Sequence, residues 1–345
     1  MLPLTKKQSA KKLVKIISFR RSKRSRKRKG KGFPVSIRLK RKRRRVPLLP
    51  PLQPVPVERG SMYDQGYNEG FDRGFDKGYR DGKHAGGDAI VDSLLPDYQI
   101  LPDITIEQVV AAGVEHLRPH IYHLLSAREL GERIVAALDA RTPFSLARLG
   151  DGELLTLAQE TILPIEQIKQ EGPFLSYAGV DVPDLAIKAE LVQSIRRASV
   201  IGIPKLRVRN FQPLAFAVFK AENINYRELV MTDSLVNYYL YHEGYLSRIT
   251  QGRKVLLVGN LAPHLAEVLR AHGVNIVGEI TPVLGVKDIP HIKDNIAGYD
   301  FDIALVSAGI SAVVISEWIA SNMGKVAIDF GHLANSIVRG EAPYR

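Results

Sequence analysis

The chain has 345 residues, with 49 Lys/Arg against 36 Asp/Glu and no cysteine. That length suits one large domain or two small ones. The lack of cysteine excludes disulfides, zinc–thiolate sites and cysteine nucleophiles. No run of about 18 apolar residues occurs, so no membrane span is expected, and the basic N-terminus lacks the apolar core of a cleaved signal.

The positive balance is local. Residues 1–60 carry 22 Lys/Arg and one acid, Glu58, for a net charge of +21, which leaves −8 on the rest of the chain. Clusters such as Arg24–Lys29 and Arg41–Arg45 repel themselves and bury nothing, so 1–60 reads as a disordered tail. Its end, Pro47 to Pro56, favours an extended spacer. Such a tail suits electrostatic attachment to an anionic surface, whether lipid, wall polymer or nucleic acid. The alternative is a solvated extension without a dedicated partner.

Residues 61–103 form a second region, a repeat followed by a linker. Tyr63, Tyr67, Phe71, Phe75 and Tyr79 recur every fourth residue, and each is followed three positions later by glycine, from Gly66 to Gly82. On a helix this spacing gives an aromatic stripe beside a glycine stripe. Glycines allow close helix approach but weaken an isolated helix by about 1 kcal/mol each. Two readings follow: docking on a partner, including self-association through residues 63–82, or a flexible linker.

From residue 104 to 345 the pattern is that of a globular domain. Helices are expected at Ile106–Leu117, Glu129–Leu138, Leu185–Arg197, Asp233–Tyr241, Pro263–His272 and Ile310–Asn322. Strands are expected at Phe144–Leu149, Val200–Ile203, Val255–Val258, Asn275–Val277, Ile303–Val306 and Val326–Phe330. Alternation of the two predicts an α/β fold: a Rossmann-like, mostly parallel sheet covered by helices on both faces. In such sheets the ligand site lies at the C-terminal strand ends.

The richest strand end is Arg148-Leu149-Gly150-Asp151-Gly152-Glu153. If Asp151 and Glu153 continue the strand, they point to the same side. Two such carboxylates suit a hard divalent cation shared with substrate phosphates. Gly150 and Gly152 let a ligand approach the backbone, and Arg148 fits a phosphate contact or a clamp on Asp151. The plainer reading is a helix cap, with Asp151 as N-cap and Glu153 in the first turn. Other strand ends carry Gly259-Asn260, Ser307-Ala308-Gly309 and Asp329-Phe330-Gly331-His332. Gly259 and Gly309 would admit a nucleotide, with Asn260 and Ser307 as polar contacts. His332 could complete a metal shell, Asn237 could contact base or ribose, and His264 is ambiguous. No G-x-G-x-x-G fingerprint, P-loop or G-x-S-x-G elbow occurs.

R-L-G-D-G-E, the strand K-V-L-L-V-G-N, the segment F-D-I-A-L-V-S-A-G and the closing G-K-V-A-I-D-F-G-H together resemble the GT-D glycosyltransferases of Gram-positive bacteria, formerly a domain of unknown function. The resemblance spans roughly residues 125–345. It implies a Rossmann-like sheet, a nucleoside diphosphate sugar donor (a UDP-hexose such as UDP-glucose), and Mn²⁺ or Mg²⁺ on a D-x-E motif, which by position is Asp151-Gly152-Glu153. The expected activity is metal-dependent hexosyl transfer to a glycan or glycoprotein acceptor, in the cytoplasm or peripherally at the inner membrane face. Two rivals are a polyanion-binding protein with a nucleotide-binding α/β domain, and another nucleotide-dependent α/β transferase.

Overall fold

A computed structural model describes the backbone of residues 59–345 and the side chains from residue 69 onward. The basic tail expected at 1–60 lies almost wholly outside the described residues. The chain divides into two compact units, with the boundary between Ile106 and Glu107.

The first unit opens on helix α1, Arg59–Lys83, which contains the aromatic–glycine repeat. A π-helical turn, His84–Asp88, leads into α2, Ala89–Leu94. The repeat is therefore helical here, despite its glycines. Phe71, Phe75 and Tyr79 are all exposed.

The second unit contains a seven-stranded, wholly parallel sheet in the order β3-β2-β1-β7-β6-β4-β5. Helix α3 is Ile106–His116 and α4 is Ala127–Ala140. A capping box starts α4: Ser126 accepts from the Glu129 N–H, and Glu129 accepts from the Ser126 N–H. Strand β1, Phe144–Arg148, is followed by α5 (Asp151–Leu157), α6 (Ile165–Glu171) and α7 (Leu185–Arg197). Then come β2 (Val200–Ile203), α8 (Gln212–Ala221), β3 (Met231–Asp233), α9 (Val236–His242) and α10 (Tyr245–Thr250). The C-terminal half runs β4 (Lys254–Gly259), α11 (Ala262–Ala271), β5 (Asn275–Ile280), α12 (Ile289–Ala297), β6 (Ile303–Ser307), α13 (Ser311–Met323), β7 (Val326–Asp329) and α14 (Leu333–Val338). Among the described residues, no helix is long and apolar enough to cross a membrane.

Strand residues alternate between the two faces of the sheet. Phe144, Leu146, Leu257 and Ile328 pack with α4, α9, α10, α11 and α14 on one face. Ala147 and Leu149 pack with α5, α7, α8 and α13 on the other, where Val258 and Val306 join α12 and α13. This decides where the site lies. Strands β1 and β7 are neighbours, yet β1 leads to α5 on one face and β7 leads to α14 on the other. Such divergence marks the topological switch point of an open sheet, where crevices form at the C-terminal strand ends.

Close packing of α4 on α10 requires a glycine. A Cβ on Gly131 would collide with the Tyr245 ring, whose hydroxyl donates to Glu132 at 2.6 Å. Gly131→Ala is expected to lower stability by about 1–3 kcal/mol through overpacking. Urea unfolding would check this, and an unchanged midpoint would refute the packing assignment.

Candidate active site

Arg148 ends β1, and its guanidinium turns across the crevice onto β7. Nη2 donates to Asp329 Oδ1 at 2.9 Å and Nε to the Asp329 carbonyl at 2.9 Å. Nη1 reaches the Ser234 carbonyl at 2.8 Å and Asn237 Oδ1 at 3.2 Å. Asn237 in turn donates to the Phe330 carbonyl at 2.9 Å. The Arg148 backbone N–H adds a bond to Asp329 Oδ2 at 3.2 Å. The Arg148 and Asp329 side chains are only 15% and 6% exposed. One guanidinium thus ties β1, β7 and the turn after β3. Gly331, at φ +56°, leaves room for it, since a Cβ there would strike the guanidinium.

The chain after Arg148 turns directly into α5. The expectation that Asp151 and Glu153 share one side is corrected here. They are the first and third residues of a helix, so their side chains leave its axis about 200° apart. Gly150 is the N-cap. Glu153 folds back and accepts from the Gly150 N–H at 2.7 Å, which is the helix-cap geometry, shifted one residue from the Asp151 cap. Asp151 is exposed, with one oxygen accepting from the Gly152 N–H at 3.1 Å.

Burial and the nearby Asp329 charge push the Glu153 carboxyl up to about 7. Burial likewise raises Asp329, with Arg148 pulling in the opposite direction. Two carboxyls, Glu153 and Asp329, therefore interact beside Arg148, and Glu153 is pushed up to about 7, while Asp151 stands exposed at the helix start.

The other expected contacts separate into two groups. Asn237 is buried, and its carboxamide is spent on Arg148 and Phe330. Asn260 both accepts from the Val283 N–H and donates to the Val283 carbonyl, at 2.7 and 3.0 Å, pinning the loop after β5. Gly259, at φ +139°, is needed because a Cβ would strike the Ser307 carbonyl. Gly152 is buried against Ile310 and Phe174. These four positions serve the scaffold: their polar groups and free space are occupied by protein. The second group faces the crevice rim. Gly309, at φ +56°, borders open space, and His332 is exposed at the start of α14; Ser307, at the end of β6, keeps its Oγ buried without a hydrogen-bond partner. Residue separation concealed Asp329 and Ser234, which lie 181 and 86 positions from Arg148. The polar end of β7, Asp329-Phe330-Gly331-His332, was the one available signal.

Among the described residues, no three His, Asp or Glu side chains are arranged to hold a metal ion. A two-carboxylate donor set still suits a hard cation whose other ligands come from substrate phosphate and water. Burial, joined by the Asp329 charge, disfavours ionised Glu153, and a bound cation would offset both.

The sequence model of the GT-D fold-like domain matches residues 125–337. The chain belongs to the GT-D-like family, a family of glycosyltransferases. Similar solved structures include a new glycosyltransferase of domain of unknown function 1792 from Streptococcus sanguinis, at 16% identity and TM-score 0.46, covering 64% of this chain and 86% of that one. Another, described as showing that the same domain has a distinct glycosyltransferase fold, is 15% identical with TM-score 0.43, covering 64% and 83%. No curated protein matches the chain.

Two outcomes follow for this GT-D-like unit. Arg148→Met strands Asp329 as an unpaired buried charge and is expected to cost about 3–5 kcal/mol. Arg148→Met with Asp329→Leu should recover most of it in urea unfolding; a loss below about 1 kcal/mol in the single variant would contradict the clamp. The second outcome concerns pH. The folded protein keeps the Glu153 proton up to about 7, whereas the ordinary value is 4.5. Stability from that proton is complete below pH 4.5 and is lost as pH rises through about 7. Wild type should therefore lose stability relative to Glu153→Gln across this window. A gap independent of pH would show that Glu153 titrates normally.

Proposed function

We propose that this GT-D-like glycosyltransferase moves a hexose from a UDP-hexose, of which UDP-glucose is the simplest, to a glycan or glycoprotein acceptor. Asp151 and Glu153 would hold Mn²⁺ or Mg²⁺ once Glu153 turns from its cap on the Gly150 N–H toward Asp151, with His332 as a further ligand brought in by the same rearrangement. The observation that carries this reading is the carboxylate group at the β1/β7 crevice, with Glu153 driven up to about 7 by burial and by Asp329.

A bound cation would neutralise charge growing on the diphosphate as the anomeric carbon–oxygen bond breaks. The protein's own groups do the rest. Asp151 is solvent-accessible and first to meet a charged donor. Glu153, which accepts from the Gly150 N–H, would leave that bond and release its proton to solvent in order to hold a cation. Arg148 acts as a positioning residue. Its donors are committed to Asp329, Ser234 and Asn237, so it fixes the end of β1 from which the Gly150 turn projects. At the rim, Ser307 and Gly309 precede α13, a helix of 13 residues whose first N–H groups favour phosphate. The basic segment 1–60, at +21, supplies attachment to an anionic surface.

The experiment compares wild type, Asp151→Asn and Glu153→Gln in a Mn²⁺ titration of UDP-hexose turnover, with thermal shift on UDP-sugars with and without metal. Each variant should lose at least about 100-fold in turnover, in line with removal of one transition-state stabilising group, and keep its far-UV circular dichroism. Wild-type turnover in either variant, or equal turnover with excess chelator, would overturn the metal assignment.

A further inference from the structure

The aromatic–glycine helix is not used by the crevice chemistry, and nothing described in the chain explains its composition. Elsewhere several glycines are required: a Cβ at Gly131, Gly179 or Gly285 would run into a ring or into backbone. In α1 the situation is reversed. A Cβ added at Gly70, Gly74, Gly78 or Gly82 would meet nothing within 4 Å. Each of these glycines weakens a helix relative to alanine, and no packing among the described residues makes use of them. Beside them Phe71, Phe75 and Tyr79 are 53%, 52% and 64% exposed. Large apolar rings are placed outward next to a smooth stripe that costs helix stability.

Knob and hole lie on the same surface. An aromatic and the glycine three residues later are about 60° apart around the helix. The four-residue period drifts slowly forward, which calls for a right-handed crossing, the geometry in which glycine-lined helices approach most closely.

The occupant follows from packing and charge. Residues 63–72 contain three acids, Asp64, Glu69 and Asp72, and no base, whereas residues 73–83 contain four bases, Arg73, Lys77, Arg80 and Lys83, with two acids. A second copy of the helix laid antiparallel brings the acidic half of each against the basic half of the other. It also brings each aromatic level with a partner glycine: Phe75 with Gly74, Phe71 with Gly78, Tyr79 with Gly70. A parallel pair would stack ring on ring and glycine on glycine, leave gaps between layers, and set the acidic halves against each other. We propose that α1 is a homodimerisation helix that pairs antiparallel with α1 of a second copy, aromatic rings seated on partner glycines.

The test uses the full chain in sedimentation equilibrium across a concentration series. Wild type should dimerise. Gly74→Leu with Gly78→Leu fills the seats while favouring helix, so it should weaken dimerisation at least 10-fold with equal or higher far-UV helicity. Phe71→Ala/Phe75→Ala/Tyr79→Ala should weaken it similarly. Orientation is read by cross-linking, since the chain has no cysteine. Gly66→Cys alone should not cross-link to itself through a short thiol reagent, but an equal mixture with Lys83→Cys, which the same register places opposite it, should. A monomeric wild type at all concentrations would overturn the proposal, as would Leu variants that dimerise as tightly as wild type. Efficient self-cross-linking of Gly66→Cys would overturn the antiparallel arrangement.

Discussion

The buried ion pair between Arg148 and Asp329 is the constraint around which the crevice is built. Adjacent strands β1 and β7 send their chains to opposite faces of the sheet, and that divergence removes the helix that would otherwise cover the strand ends. Polar groups at the bottom of such an opening are only partly reached by water, so each must find a partner or pay a desolvation cost. Arg148 answers this for several at once: the Asp329 carboxylate, two backbone carbonyls and the Asn237 carboxamide. Asn237 extends the network to Phe330. A lysine, with a single ammonium in place of a planar fork, could not span these partners.

The same pair sets the electrostatics of the rim. Burial disfavours ionised Glu153, Asp329 adds to this, and Arg148 pulls the other way without offsetting them. Glu153 is therefore a partly buried carboxyl with a backbone N–H as its bond donor and a like charge nearby, and its proton affinity rises. The helix-cap geometry and a cation-binding role are thus not exclusive. Capping positions the carboxyl in the absence of a ligand, and the raised pKa marks the charge that a ligand could supply. Asp151, one turn-position earlier, is left in solvent because the helix starts at that residue.

Glycines divide the molecule in an informative way. In the sheet unit several occur where backbone meets backbone or ring, as at Gly259 against Ser307 and Gly131 against Tyr245, and others where a turn takes positive φ, as at Gly309. In α1 they occur where nothing meets them. One residue type marks internal packing in the first case and a surface without an internal partner in the second. Only coordinates distinguish the two, because a glycine in sequence does not state what approaches it.

Composition and periodicity alone determined the division into a basic tail, an aromatic–glycine segment and an α/β unit, because charge clustering and apolar period are local properties. They also located six of the seven strands. The missing one, β3, has just three residues, Met231–Asp233, too few to show a period. Short helices such as α6, α10 and α14 escaped for the same reason. The R-L-G-D-G-E segment was legible as a site, since its residue types and the strand-to-turn transition lie within six positions. Tertiary structure decided what those residues do. It turned Asp151 and Glu153 onto a helix, so that a two-residue spacing splayed them apart. It spent Asn237, Asn260 and Gly259 on the scaffold, and it joined Arg148 to Asp329 across 181 positions. Long-range pairing of this kind depends on sheet order and on which face each chain leaves by, and neither is written in any local stretch of sequence.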